Sequence, residues 1–422
     1  MTHFNIFFKM KTYPQPFLLL VVVFSFVVFG CKSNKENVSE VAKKTDKLVP
    51  EHLKWSERMM LSEIERVPNA TMIDFVKKPR WSHTNGLVLS ACAKVFEATK
   101  NQKYYDYVYN YANELIDSSG TIATYKRSNQ NLDMIKSGDV LLYLYPKTKE
   151  ARFLKAIDTL IHQMELQPKT SDGGYWHKKI YPHQMWLDGL YMAESFHAHY
   201  ATMFVENEAE KMKIFDDVVL QFDLIQKHSR DEKTGLLFHG WDESKEQKWA
   251  NKITGNSQHF WSRGMGWYGM ALVDVLDFLP KNHPEREKLI TYLNQYAEAI
   301  LKVQDTSGLW YQVLDQGNRE GNYLEASGTA MFTYTFAKGA QKGYLPEKYL
   351  AAANQSYNAM IEKLISVDEN GLVSLNQCCA VAGLGGNPYR DGSYEYYIGE
   401  EIRANDPKGT GPFILVSLLL NK

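Results

Sequence analysis

Residues 172–193 read DGGYWHKKIYPHQMWLDGLYMA. The stretch opens on an Asp-Gly turn signal, passes through a short extended piece, YWHKKIY, and enters an apolar helical run at Gly189. Asp opens such a turn through its side chain, and Gly supplies the positive φ. Outward from here the order repeats. Asp117-Ser-Ser-Gly, Asp231-Glu-Lys-Thr-Gly, Asp305-Thr-Ser-Gly and Asp368-Glu-Asn-Gly are followed by TIATYK, LLFHGW, LWYQVL and LVSLNQ. Apolar helical runs begin at Gly86, Gly138, Gly189, Gly266, Gly328 and Gly411. Residues 103–115, 151–164, 212–227, 286–303 and 349–365 instead carry apolar residues at i, i+3, i+4 and i+7 with charges between, the mark of one buried and one wet face.

The repeating unit is therefore outer helix, turn, short ribbon, inner helix. Repetition of an αα unit with apolar inner helices predicts closure into a ring. Six units predict an all-α fold, an (α/α)6 toroid with short β-ribbons at one rim. An open α-solenoid is the alternative; the irregular spacings and large loops suit a closed ring better. Residues 51–422 are predicted to form this domain.

Residues 1–30 read as a leader. Lys9 and Lys11 precede an apolar run from Phe17 to Phe29, too short to span a bilayer comfortably. The run ends Val28-Phe29-Gly30-Cys31, which resembles a bacterial lipobox, with Cys31 the lipidated residue. That implies a protein of the bacterial cell envelope held to a membrane only by its lipid anchor. An ordinary signal peptide with a chance Cys is the alternative. Residues 31–50 are polar and read as a flexible tether. A net charge of −1, with 23% charged residues, gives no sign of a nucleic-acid partner. Cys92, Cys378 and Cys379 show no metal-ligand spacing and read as buried thiols.

If the ribbons share a rim, their polar and aromatic residues converge. The second unit brings Asn131, Leu132 and Asp133. The third brings His177, Lys178, Trp186 and Asp188. The fourth brings His239, Trp241, Asp242, Trp261, Arg263 and Trp267; the first brings Trp81 and Asn85. Aromatic walls with a few polar groups suit a small-molecule pocket, and aromatic rings suit sugars. Each has a plainer reading as well: Asp188 as a helix N-cap, Asp133 as a turn residue, Trp261 and Trp267 as core. Tyr394 is a weaker candidate, and His183 reads as packing.

Four motifs in order, NLD before Gly138, HKKIYPHQMWLDGLYMA, HGWDES and WSRGMGWYGMALVDVLDFLP, together with RDGSYEYYIGE, resemble glycoside hydrolase family 105, the unsaturated rhamnogalacturonyl hydrolases. More distantly they resemble family 88, the unsaturated glucuronyl hydrolases. The resemblance covers roughly residues 51–422 and implies an (α/α)6 barrel. It also implies hydration of the C4=C5 double bond that a polysaccharide lyase leaves in a terminal uronic acid, with no cofactor and no metal. Asp188 matches the family's general acid/base and Asp133 its supporting carboxylate. His177 and Lys178 match pocket positions.

Other expectations rest on chemistry. Walls such as Trp186 and Tyr191, with Asp133 nearby, are expected to raise the Asp188 pKa, as a general acid needs. Arg263 suits a substrate carboxylate because a guanidinium meets carboxylate with a planar fork. His239 is placed to position the attacking water. Trp241, Trp261, Trp267, Trp81 and Asn85 complete the substrate-binding candidates. The substrate would be an unsaturated uronyl-rhamnose oligosaccharide of rhamnogalacturonan or ulvan type. A two-carboxylate glycosidase on a saturated glycan, or a non-catalytic glycan-binding lipoprotein, is the alternative.

Overall fold

A computed structural model describes residues 47–420. The leader, Cys31 and the tether up to residue 46 lie outside the described residues. The last tether residues, 47–50, differ from the expectation. Val49 is buried, and its N–H donates to Asn370 O at 3.2 Å.

Six inner helices form the ring: α2 (His83–Thr99), α4 (Gly138–Thr148), α6 (Leu187–Phe204), α8 (Ser262–Val275), α10 (Ala326–Gln341) and α13 (Pro407–Leu420). Each packs on the next, and α13 returns to α2. Five outer helices follow their inner partners: α3 (Gln102–Leu115), α5 (Ala151–Leu166), α7 (Glu208–Ser229), α9 (Arg286–Lys302) and α11 (Lys348–Lys363). The sixth, α1 (Trp55–Arg66), packs against α13 and α2. The first helix of the ring thus covers the last, so closure joins the two ends of the chain. A small helix, α12 (Tyr394–Gly399), lies in the long connection before α13. The architecture is the (α/α)6 toroid, and no open solenoid remains to be considered.

Apart from Gly138, which opens α4, the glycines that mark the inner helices are not their first residues. α2 begins at His83 and α8 at Ser262. The glycines sit where helices touch. A Cβ on Gly86 would lie 2.7 Å from the backbone of Lys136, and one on Gly328 would meet Ser262 Oγ. Neighbouring inner helices can approach this closely only without a side chain.

The turn signals hold. Gly120, Gly235, Gly308 and Gly371 all have positive φ, and Asp117, Asp231, Asp305 and Asp368 accept backbone N–H bonds within their turns. In the third unit Thr170 makes the turn instead: its Oγ1 accepts Gly174 N at 2.8 Å. That frees Asp172 to bind His228 at 2.7 Å and Lys227 at 3.0 Å on α7.

The ribbons are very short. β1 (Gln184–Trp186) pairs antiparallel with β2 (Gly240–Asp242), setting Met185 opposite Trp241. β3 (Ile365–Val367) pairs with β4 (Val373–Leu375), and β5 (Cys378–Cys379) with β6 (Ile402–Arg403). Cys92, Cys378 and Cys379 are buried free thiols.

Candidate active site

Two backbone junctions assemble the site. Leu132 N donates to His177 O at 3.1 Å, and Asn131 bridges Lys178. These bonds carry Asp133 from the second unit onto His177 and Lys178 of the third. Where the β1–β2 pair ends, Leu187 N donates to His239 O at 3.1 Å, which sets His239 beside Asp188.

The result is a cavity of about 420 Å³ at the rim where the inner helices begin. Asp133, His177, Lys178, Trp186, Asp188, Trp261, Arg263 and Trp267 line it. His239 stands behind Asp188. Trp186 is the central wall: His177 stacks on it at 4.6 Å, Tyr181 at 5.1 Å, and His239 meets its edge at 5.5 Å.

Asp133 is an ion-pair centre. Lys178 Nζ lies 2.5 Å from Oδ2 and His177 Nε2 lies 3.3 Å from Oδ1. Burial pushes its pKa up, but Lys178, His177 and His83 outweigh it and hold the carboxyl well below its usual range. Burial pushes His177 down to about 4, against the pull of Asp133, so the ring is neutral at pH 7.

Asp188 occupies the first turn of α6, and the expected rise in its pKa is not found. Burial and Asp133 do push it up. His239 and His177 push the other way and win, so the carboxyl sits below its ordinary value. His239 Nε2 lies 3.2 Å from Asp188 Oδ2, angled off the line of a hydrogen bond. Its Nδ1 meets Tyr397 Oη at 2.8 Å. With a carboxylate on one side and a phenol on the other, the satisfied arrangement has Tyr397 O–H donating to Nδ1 and the ring proton on Nε2, facing Asp188.

Arg263 is fully buried. Its Nη2 donates to Cys379 O at 2.6 Å, and Nη1 lies 3.6 Å from Asp406. Nη1 and Nε have no hydrogen-bond partner among the described residues, and the same holds for His177 Nδ1, His239 Nε2 and Asp188 Oδ2. An unmet buried polar atom costs about 1–3 kcal/mol. Their gathering on and just behind one cavity wall marks the place where a ligand can complete part of the bonding.

Three other candidates stand off the cavity wall. Trp81 stacks on Tyr111 at 5.6 Å and donates to Met134 O. Asn85 donates to Ala70 O at 2.7 Å. Trp241 stacks on His228 at 3.7 Å and donates to Thr254 O. All three are buried in packing. Tyr394 hydrogen-bonds the backbone of residues 319 and 320, away from the cavity. His183 tilts against Trp176 at 4.7 Å.

Sequence reasoning missed Tyr397 and the basic wall formed by Arg80, Arg390, Arg403 and Lys408. Asp74 compensates Arg80, Arg403 and Lys408 at 3.0, 2.9 and 3.4 Å. Among the described residues Arg390 has no carboxylate partner: it donates to oxygens of Leu384, Gly385 and Tyr181 and lies over the Tyr181 and Trp186 rings. The only signal for Tyr397 and Arg390 was their place in RDGSYEYYIGE.

Comparison with known proteins agrees with this geometry. A family model described as Glycosyl Hydrolase Family 88 matches residues 55–421. The structure is similar to a solved glycoside hydrolase from family 105 of C. acetobutylicum ATCC 824. The two share 45% identity at a TM-score of 0.83, over 87% of this chain and 99% of that one. Protein Atu3128 of Agrobacterium fabrum is 38% identical over 217 residues, 49% of this chain and 92% of its own. The unsaturated rhamnogalacturonyl hydrolase YesR of Bacillus subtilis is 25% identical over 327 residues, 76% of this chain and 85% of its own. The ring, the rim cavity and these matches together make the chain an enzyme that belongs to glycosyl hydrolase family 88, with family 105 relatives.

Proposed function

We propose that this enzyme removes the terminal 4,5-unsaturated uronic acid from lyase-generated uronyl-rhamnose oligosaccharides of rhamnogalacturonan or ulvan type. Asp188 is the general acid/base. It delivers a proton to C4 of the double bond, and water adds at C5 with the proton returned to the same carboxylate. The hemiketal so formed opens, and the glycosidic link to the next sugar falls apart. Asp133, fixed by Lys178 and His177, is the supporting carboxylate.

The observation that carries this reading is the open contact between Asp188 and His239. Asp188 Oδ2 and His239 Nε2 face each other at 3.2 Å with neither hydrogen bond made, inside an aromatic cavity. In the empty cavity Asp188 is ionised. A substrate carboxylate entering beside it brings a second negative charge and expels water, and both push its pKa upward. The acid form therefore arises when substrate is bound, which is when a proton is needed. Among the cations of the cavity wall, Arg263, Lys178 and Arg390, the last with no carboxylate partner among the described residues, can take the substrate carboxylate.

The test follows the ultraviolet absorbance of the conjugated uronate. Lyase-treated rhamnogalacturonan and ulvan oligosaccharides are supplied side by side. Loss of absorbance with one of them, abolished in Asp188→Asn, supports the hydration and names the substrate. Turnover of intact saturated polymer with no absorbance loss from either oligosaccharide would overturn it.

A further inference from the structure

A groove of about 620 Å³ lies beside the rim cavity, and the two share Asp74 as a wall. The end of α1, residues 67–76 and the start of α13 enclose it. Val67, Pro68, Met72, Phe75, Val76 and Pro407 give it a mostly apolar lining. The rim cavity reaches toward this groove from the reacting carboxylates. His83 stands between them in the rim wall: burial lowers its pKa, and Asp133 and Asp74 both oppose that shift.

The ridge between cavity and groove is Arg403 stacked on Phe75. Arg403 lines the cavity, Phe75 lines the groove, and the guanidinium lies 4.2 Å over the ring. Asp74 at 2.9 Å and Asp406 at 2.5 Å hold the guanidinium in place. Asp74 and Phe75 both take left-handed backbone, with φ of 80° and 57°. For a side chain as bulky as Phe that conformation is costly. The turn aims Asp74 inward at Arg80, Arg403 and Lys408 and leaves Phe75 60% exposed. Packing within the protein returns little for the strain, because most of the ring stands in solvent. A ligand that stacks on the ring would return it.

A glycan whose terminal uronate reacts at Asp188 has to leave through the mouth of the rim cavity. Across the Arg403–Phe75 ridge it meets a flat aromatic face and then an apolar groove. A 6-deoxy sugar such as rhamnose presents C–H faces and a methyl group to such a surface. We propose that the groove seats the sugars that follow the terminal uronate, with Phe75 as their stacking platform, so that the enzyme prefers tetrasaccharides and longer lyase products over the disaccharide. The inference rests on the substrate class proposed above, not on the hydration mechanism, and it adds the length of chain the enzyme takes.

Calorimetry on the full chain carrying Asp188→Asn, which should hold substrate uncleaved, measures Kd for unsaturated disaccharides and tetrasaccharides released by lyase from rhamnogalacturonan and from ulvan. In the series that binds, the tetrasaccharide should bind about tenfold more tightly than the disaccharide, the worth of one good stacking contact. Two further variants are made in the same protein. Phe75→Asn removes the ring but keeps a residue at ease in left-handed backbone. Met72→Trp keeps Phe75 and fills the groove. Each should abolish the length preference, and the ratio of the two affinities cancels any effect shared by both lengths. Equal affinity for the two lengths, a preference that survives both variants, or no binding at either length would each overturn the proposal. Absorbance loss with the wild type tests the reaction separately. A length preference that depends on Phe75 but comes with no absorbance loss would sink the hydration reading and leave the groove assigned.

Discussion

The two ends of the ring handle buried charge in opposite ways. At the far end, Lys136, Lys338, Asp139 and Asp274 close on one another in pairs at 2.6 Å. At the rim, Asp188, His239, His177 and Arg263 each keep a polar atom unpaired. The first pattern satisfies the protein by itself. The second is satisfied only when something else is present. Buried charge alone therefore does not locate chemistry in this molecule; several incompletely bonded charged groups gathered around one cavity do.

That contrast breaks first, and most visibly, at Asp188. Asp188→Asn should lower turnover about 10³-fold or more, within the range ascribed to general acid–base groups. The melting temperature should stay level or rise, because a buried carboxylate with an open contact is removed. Absorbance loss and a thermal melt on the same sample check both. Turnover within tenfold of wild type would show that the open contact is not the reacting one.

The far end should respond in the opposite sense. Lys338→Met leaves Asp274 without its ammonium, while Asp277 keeps Lys342 at 3.4 Å, and removing one partner of a buried pair costs about 3–5 kcal/mol. Chemical denaturation should show that loss, while turnover per folded molecule stays within about twofold of wild type. A stable Lys338→Met protein with impaired turnover would invert the roles given to the two ends.

A smaller effect sharpens the reading of the rim. Tyr397→Phe removes the donor to His239 Nδ1. The imidazole is then free to carry its proton on that side, turning a bare Nε2 toward Asp188. One of the two influences holding the Asp188 pKa down is lost. Turnover should fall about tenfold, and the alkaline limb of its pH profile, set by the protonated Asp188 the reaction needs, should move to higher pH. A purely structural tyrosine would lower stability without moving the limb.

Much of the ring was legible because its signals are local. Inner helices are apolar nearly all round, and Asp-Gly turns recur between them. Helix α1 escaped notice because its buried face includes Arg58, Ser62 and Glu63 beside Met59, Met60 and Ile64. Charges on the inward side hide the period that marks an outer helix. The site divides in the same way. Asp133, His177, Lys178 and Asp188 sit in compact motifs. Tyr397 reaches His239 across 158 residues, and nothing in YEYYIG says which tyrosine does so. Trp81, Asn85 and Trp241 have the residue types of a pocket wall but pack in the core, a distinction residue type cannot make. The direction of the Asp188 pKa depends on His239, and only the β1–β2 pairing brings that ring alongside.

Glu63 on α1 belongs to neither end of the ring and extends the contrast to an intermediate case. It is buried and paired, but with Arg66 at 3.3 Å, a looser contact than those of the far end. Burial pushes its pKa up to about 7, and Arg66 and Thr410 do not offset it. The sign follows from linkage. A carboxyl whose folded pKa lies above its unfolded value near 4.5 contributes stability that is complete below 4.5 and is lost as pH rises through about 7. Glu63→Gln mimics the protonated form at every pH, so the variant lacks that loss. The stability of Glu63→Gln relative to wild type should therefore grow between pH 5 and pH 8, by on the order of 2 kcal/mol. Arg66 keeps its bonds to Val373 O and Ser374 Oγ in the variant, so it is not left bare. Urea unfolding of both proteins at the two pH values measures the difference and cancels the opposing slope from the buried histidines, which both share. A constant difference would mean that Arg66 does neutralise Glu63, and that a looser ion pair satisfies a buried carboxylate as fully as the close pairs of the far end.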